Sequence, residues 1–128
     1  MDYKTKLDEL ILTVIREGGS DLHLGAMRVP IIRVAGELIF LSKQAVFSEA
    51  DMSGVLNEVL KKPQVERFME NQEADFSYDF RGEARLRGNL FFQKGLICMV
   101  LRLVPKVKTI KDLHLPEILA DLARKKQG

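Results

Sequence analysis

The sequence predicts an α+β domain, an antiparallel sheet with helices packed against it. Three observations carry this. Residues 73–105 alternate apolar and polar side chains, with breaks at Gly82, at Gln93-Lys94-Gly95 and at Pro105. That is the pattern of successive half-buried strands joined by tight turns. Runs of apolar residues at helical spacing come before that stretch and after it. The order is therefore helix, strands, helices, strands, helix, in which turn-linked strands pair antiparallel and the helices are left to cover the sheet.

Taken in order, residues 3–17 place Leu7, Leu10, Ile11, Val14 and Ile15 at helical spacing with charges opposite, and Gly18-Gly19 stops that helix. Residues 20–24 alternate as a short strand, with Leu22 and Leu24 on one face and Asp21 and His23 on the other. After a loop over 25–29, residues 30–34 and 37–41 read as two strands joined by an Ala35-Gly36 turn. Ser48 and Asp51 make a capping-box-like helix start, with Asp51 in place of the usual Glu or Gln. That helix runs through Val55, Leu56, Val59 and Leu60, and Lys61 and Lys62 suit its C-terminal dipole end. Pro63 favours the first turn of another short helix carrying Val65, Phe68 and Met69.

In the strand-rich stretch Ala74, Phe76, Tyr78 and Phe80 share one face, and Asp75, Ser77 and Asp79 the other. In the next strand Arg85, Arg87 and Asn89 lie opposite Ala84, Leu86 and Leu90. Residues 96–104 are apolar on both faces except for Arg102, which predicts a central strand covered on both sides. Its arginine has to find an anion or a carbonyl, because an unpaired buried charge is costly. A basic connector at 106–108, a turn at 109–114 and a last helix starting at Pro116 complete the chain.

A chain of 128 residues, 46% hydrophobic and 30% charged, makes one domain with a real core and excludes a disordered, collagen-like or disulfide-stapled chain. With 20 Lys and Arg against 18 Asp and Glu, the net charge of +2 is too balanced to argue for nucleic acid. Cys98 stands in an apolar run and reads as a small buried hydrophobe; one cysteine fits a reducing cytoplasm. The N-terminus lacks a signal-peptide core, and no run approaches the roughly 20 apolar residues that span a bilayer.

Catalytic signatures are absent. There is no glycine-rich phosphate loop, no G-x-S-x-G and no pair of ligands at zinc spacing. Asp75 and Asp79 read as the solvated side of a strand rather than an acid/base pair. Arg81, Arg85, Arg87 and Arg102 crowd the sheet, with Lys94 at a turn. Guanidinium groups held on rigid strands suit forked contacts to phosphate or carboxylate. The plainer reading pairs them with Asp75, Asp79 and Glu83 on neighbouring strands. His23, beside Asp21, reads as a hydrogen-bonded structural histidine.

Several phrases occur together in a familiar order. Ser20-Asp21-Leu22-His23-Leu24, with Pro30, Arg33 and Gly36-Glu37-Leu38 after it, resembles the opening signature of type IV pilus retraction ATPases, the PilT family of secretion-type motors. Asp75-Phe76-Ser77-Tyr78 resembles their D-F-S-Y segment. Arg85-Leu86-Arg87-Gly88-Asn89 with Phe91 and Gln93 resembles their R-F-R-V-N-x-F-x-Q. Leu101-Arg102-Leu103-Val104-Pro105 resembles x-R-x-I-P, and residues 109–116 resemble the linker T-L-x-x-L-G-L-P. The departures are Met27-Arg28-Val29-Pro30 for G-x-P-P, Gly88 for valine and His114 for glycine.

The resemblance implies a PAS-like N-terminal domain over residues 1–105, with 106–128 as linker and helix leading to a RecA-like ATPase domain beyond the chain. It implies homohexameric rings, cytoplasmic and peripheral at the inner membrane, that use ATP and Mg2+ to drive pilus disassembly and twitching motility. Their partners would be the C-terminal ATPase domain, neighbouring subunits and an inner-membrane platform protein, and no nucleic acid. It carries Arg85, Arg87 and Arg102 over as residues that reach nucleotide phosphates or an interface carboxylate, and Asp21, His23 and Arg33 as interface or structural residues. No catalytic or metal-binding residue is expected within this stretch, and no cofactor of its own, so alone it should not hydrolyse ATP. Two other readings remain open: a free-standing PAS-like ligand-sensing module, and a single-strand nucleic-acid binder using Phe76, Tyr78 and Phe91 as stacking platforms.

Overall fold

A computed structural model of the protein describes residues 2–104; the connector, turn and last helix expected over 106–128 lie outside the described residues. The order is α1 (Tyr3–Arg16), β1 (Asp21–Gly25), β2 (Ile31–Val34), β3 (Glu37–Phe40), α2 (Glu49–Val59), α3 (Lys62–Asn71), β4 (Glu73–Phe80), β5 (Ala84–Gln93) and β6 (Leu96–Val104). The strands form one antiparallel sheet in the order β3-β2-β1-β6-β5-β4. This is the expected α+β arrangement, with the last strand at the centre beside the first.

Turn chemistry sets the registers. Ala35-Gly36 and Lys94-Gly95 each connect two strands through two residues of positive φ, so Val34 pairs with Glu37 and Gln93 with Leu96. Backbones in that conformation twist with the flanking strands, and glycine adopts it without strain. The β4–β5 turn carries three residues, with Phe80 opposite Ala84 and positive φ at Arg81 and Gly82.

The helices start where the sequence places caps. The Asp2 side chain accepts from the Thr5 amide, and Ser48 and Asp51 make both reciprocal bonds of the capping box, at 3.0 and 2.9 Å. Lys61 and Lys62 are a correction. They sit at the N-terminus of α3, as its cap residue and first residue, because α2 ends at Val59 and Pro63 opens the next helix immediately.

One core joins the helices to one face of the sheet. Leu7, Leu10, Ile11 and Val14 of α1 and Met52, Val55 and Leu56 of α2 pack on Leu22, Leu24, Ile32, Leu86, Leu90, Met99 and Leu101. Phe68 of α3 stacks on Phe92 of β5 with ring centroids 4.9 Å apart. Tyr78 is buried on this same face and Phe76 is half-buried there, so these two are core rather than platforms for bases, whereas Phe91 is half-buried on the opposite, open face. Gly88 has a specific use: the Phe76 ring occupies the space where a Cβ on Gly88 would stand. The close approach that glycine permits here is by an aromatic ring, not by a backbone.

β3 is exposed along its whole length, so it is a bare edge strand, with Leu38, Ile39 and Phe40 all open to solvent. One expectation about exposure is corrected: β6 is central, but its second face carries no helix among the described residues. Arg102 there is exposed and Val100 half-buried, and only Cys98 is buried, as expected.

A polar tie crosses the core side. Asp8 on α1 is buried and accepts a 2.6 Å hydrogen bond from the Tyr78 hydroxyl on β4, with Lys4 reaching both at 3.5 and 3.3 Å. Burial raises the Tyr78 phenol above its ordinary range, and the Asp8 hydrogen bond pushes the same way. Tyr78→Phe leaves a buried carboxylate short of its donor and is expected to cost about 1–3 kcal/mol. A lower urea midpoint with unchanged slope checks this.

Candidate functional site

The open face of the sheet collects what the helix-covered face excludes. Register places one residue per strand in a row: Leu38, Arg33, Asp21, Arg102, Arg87 and Ser77, from β3 across to β4. The next row is Phe40, Ile31, His23, Val100, Asn89 and Asp75. Neighbouring strands stand about 4.8 Å apart, so members of a row are within side-chain reach of each other.

Asp21 is the centre of the first row. It is only 4% exposed. Its Oδ2 lies 3.5 Å from Nη2 of Arg102, 3.7 Å from Nε2 of His23 and 3.9 Å from Nε of Arg33. Arg102 is exposed on this face and needs no anion for itself; the buried Asp21 is the group that needs a cation beside it. Yet all three separations exceed ordinary hydrogen-bond length, so the carboxylate is surrounded rather than clamped. Arg33 is also anchored from its Nη1 to the Gly36 carbonyl at 3.2 Å.

His23 departs from the expectation of a hydrogen-bonded structural histidine. Its Nε2 is buried and makes no hydrogen bond. Burial pushes its pKa below the ordinary 6.5; Asp21 opposes that shift, and Arg33, Arg102 and Arg28 reinforce it. The imidazole is therefore neutral at pH 7.

Arg87 stands directly opposite Arg102 on the neighbouring strand. Like charges facing each other across a ladder repel. Of the acids that could have neutralised the arginines, Asp75 and Asp79 hold other partners. Asn89 donates to Asp75 at 2.8 Å and to Glu73 at 3.3 Å, and Asp79 accepts from the Gly82 amide at 3.0 Å. Among the described residues neither Arg85 nor Arg87 has an ion-pair partner. Asp75, Phe76, Arg87, Gly88, Asn89, Val100 and Arg102 line an open cleft of ≈ 370 Å³. This is an anion-receptive surface: two forked donors face each other, one of them half-compensated by Asp21.

Of the arginines singled out in the sequence, the fold brings Arg87 and Arg102 together. Arg85 shares their face but lies one row away, opposite Asp79 and Val104, and does not line the cleft. Arg81 leaves the group altogether, with its guanidinium over the Phe80 ring and 4.0 Å from Asp8. Sequence reasoning missed Arg28. It lies over Gly25, where a Cβ would strike it, and its Nη2 donates to Gln93 at 3.2 Å and to the Cys98 sulfur at 3.5 Å. A glycine ending a strand, three positions ahead of an arginine, was the available signal. Among the described residues no cluster of His, Cys, Asp and Glu could hold a metal ion, and no helix is long and apolar enough to cross a membrane.

No family model matches the chain. It is 35% identical over 124 residues to the type IV pilus ATPase PilU of Pseudomonas aeruginosa, covering 96% of this chain and 32% of PilU. It is 32% identical over 113 residues to the type IV pilus retraction ATPase PilT of the same organism, covering 88% and 33%. The fold matches the crystal structure of the pilus retraction motor PilT with bound ADP at a TM-score of 0.72 and 31% identity, covering 91% of this chain and 34% of that one. The chain is an N-terminal domain of the PilT-type secretion ATPase family. It spans about a third of the length of the curated PilT-type relatives it matches. The ATPase DotB of Legionella pneumophila shares the fold, at a TM-score of 0.71 with 17% identity.

The depressed pKa of His23 sets a pH dependence. Between the lowered folded value and the ordinary 6.5, the unfolded chain binds a proton that the folded chain does not. Stability is therefore expected to fall as pH drops below about 6.5. Urea midpoints measured from pH 7.5 to 5 check this, and His23→Gln flattens that window.

Proposed function

We propose that this domain is the interface and coupling domain of a hexameric type IV pilus retraction ATPase, in which ATP turnover in a C-terminal RecA-like domain beyond this chain drives ring motion, pilus disassembly and twitching. On this reading residues 1–105 form the N-terminal domain and 106–128 lead into the ATPase domain. The ring is cytoplasmic and peripheral at the inner membrane, with neighbouring subunits and a membrane platform protein as partners.

The observation that supports the reading best is the Arg87–Arg102 pair. Two facing guanidinium groups on rigid strands, without an acid between them, fit the oxygens of a nucleotide phosphate presented by another domain. ADP bound in the related PilT structure makes that chemistry the natural one. Arginines held in this way sense phosphate charge and transmit its loss as a change of domain position, with no chemistry of their own. Arg85, on the same face but off the cleft, would meet an interface carboxylate on this reading. ATP and Mg2+ belong to the whole motor. This chain's contribution would be the two guanidinium groups, while the phosphate-cradling loop and metal ligands would come from the ATPase domain.

In the longer motor, Arg87→Ala and Arg102→Ala are each expected to lower the steady-state ATPase rate by about a hundredfold or more, the lower end of what a single charge-stabilising donor contributes. Arg87→Lys should recover little, since a point charge lacks the fork. Rates within about twofold of wild type for both alanine variants would overturn the phosphate role.

A further inference from the structure

The row Arg33–Asp21–Arg102–Arg87 has an unusual charge order for four adjacent strands. One buried carboxylate lies between two arginines, and a third arginine stands beyond the second. A carboxylate this buried is tolerated only with a cation beside it. Asp21 has two, Arg102 at 3.5 Å and Arg33 at 3.9 Å, when one would serve. The two are not equivalent. Arg33 is tied to the Gly36 carbonyl on its own hairpin, whereas the Arg102 side chain is 70% exposed and at the rim of the cleft. Neither contact is at hydrogen-bond length, so breaking the outer one forfeits no short hydrogen bond.

We propose that Asp21 is a positioning residue for the anion cleft: it parks Arg102 while the cleft is empty and yields it when phosphate arrives, with Arg33 remaining as the cation that keeps Asp21 compensated. This rests on the phosphate reading of Arg87 and Arg102 and gives jobs to two residues outside the cleft. Arg102 swings from a carboxylate to a phosphate without leaving a bare buried charge behind. Asp21 competes with the ligand, and Arg33 weakens that competition. His23, neutral and unbonded beside the same oxygen, adds no cation to hold Asp21 when Arg102 departs.

The test uses this chain, with inorganic tripolyphosphate as the probe at low, fixed ionic strength, read by the Nε–Hε NMR signals of Arg87 and Arg102. Wild type is expected to show saturable shifts at both. Asp21→Asn removes the competitor and is expected to tighten binding by about threefold to tenfold. Arg33→Ala leaves Arg102 as the last partner of Asp21 and is expected to weaken binding by a similar factor. In the Asp21→Asn background Arg33→Ala should have almost no effect, since there is no charge left to compensate. An Arg33 that acts only through the general positive field would weaken binding equally in both backgrounds, and that result overturns the exchange. So does unchanged or weaker binding in a folded Asp21→Asn chain. If Asp21→Asn fails to fold, Asp21→Ser and the Arg33→Ala variant decide by the same comparison. Absence of any saturable shift in wild type, or binding indifferent to Arg87→Ala, removes the phosphate reading itself and the exchange with it. Wild-type binding lost on Arg87→Ala but unmoved by the Asp21 and Arg33 variants leaves that reading intact and removes only the exchange.

Discussion

The structure depends on a sheet whose described helices all lie on one face. Strand alternation then divides every strand in two. One set of side chains makes the single apolar core with α1, α2 and α3, and the other set must live at an open surface. Because six strands carry that surface in strict register, residues far apart in the chain fall into rows. Asp21, Arg102 and Arg87 become neighbours only because β6 inserts between β1 and β5. The candidate site is a property of the register, and a one-residue slip in β6 would turn Arg102 into the core.

Within that surface the energetics turn on charge rather than on area. The face carries arginines at 33, 85, 87 and 102, while its acids are either buried under them, as Asp21 is, or tied to Asn89 and to the β4–β5 turn. This leaves a local positive field in a chain whose net charge is only +2. Overall charge balance therefore says little about what this domain meets. A positive patch on rigid strands, at the level of the sheet centre, suits a ligand brought by a neighbouring domain better than one enclosed by this fold.

Much of this was legible in the sequence, for physical reasons that differ by element. Alternation from Glu73 onward is local and places Arg87 and Phe76 on opposite faces without any knowledge of the fold. The Ser48–Asp51 capping box is likewise settled within four residues. What the sequence hid was long-range. Asp8 sits in an amphipathic helix like any solvated acid, and its burial follows from Tyr78, which is 70 positions away. Asp21 alternates as a strand's polar face should, yet is buried because three long side chains from three strands lean over it. The charges at Lys61 and Lys62 suited the end of α2, and Pro63, which restarts the helix at once, overrode that preference. Of Arg85, Arg87 and Arg102, the register sets the last two opposite each other, and Arg85 is separated from the cleft by one pleat repeat.

The account stands on nucleotide phosphate meeting the open face of this sheet between Arg87 and Arg102. A crystal structure of the longer motor with a non-hydrolysable ATP analogue tests that most directly. The expected result is a guanidinium nitrogen of Arg87, Arg102 or both within about 3 Å of a phosphate oxygen, with Arg102 drawn away from Asp21. Phosphates held wholly by other parts of the motor, with Arg102 still beside Asp21 and the cleft facing solvent, would contradict it.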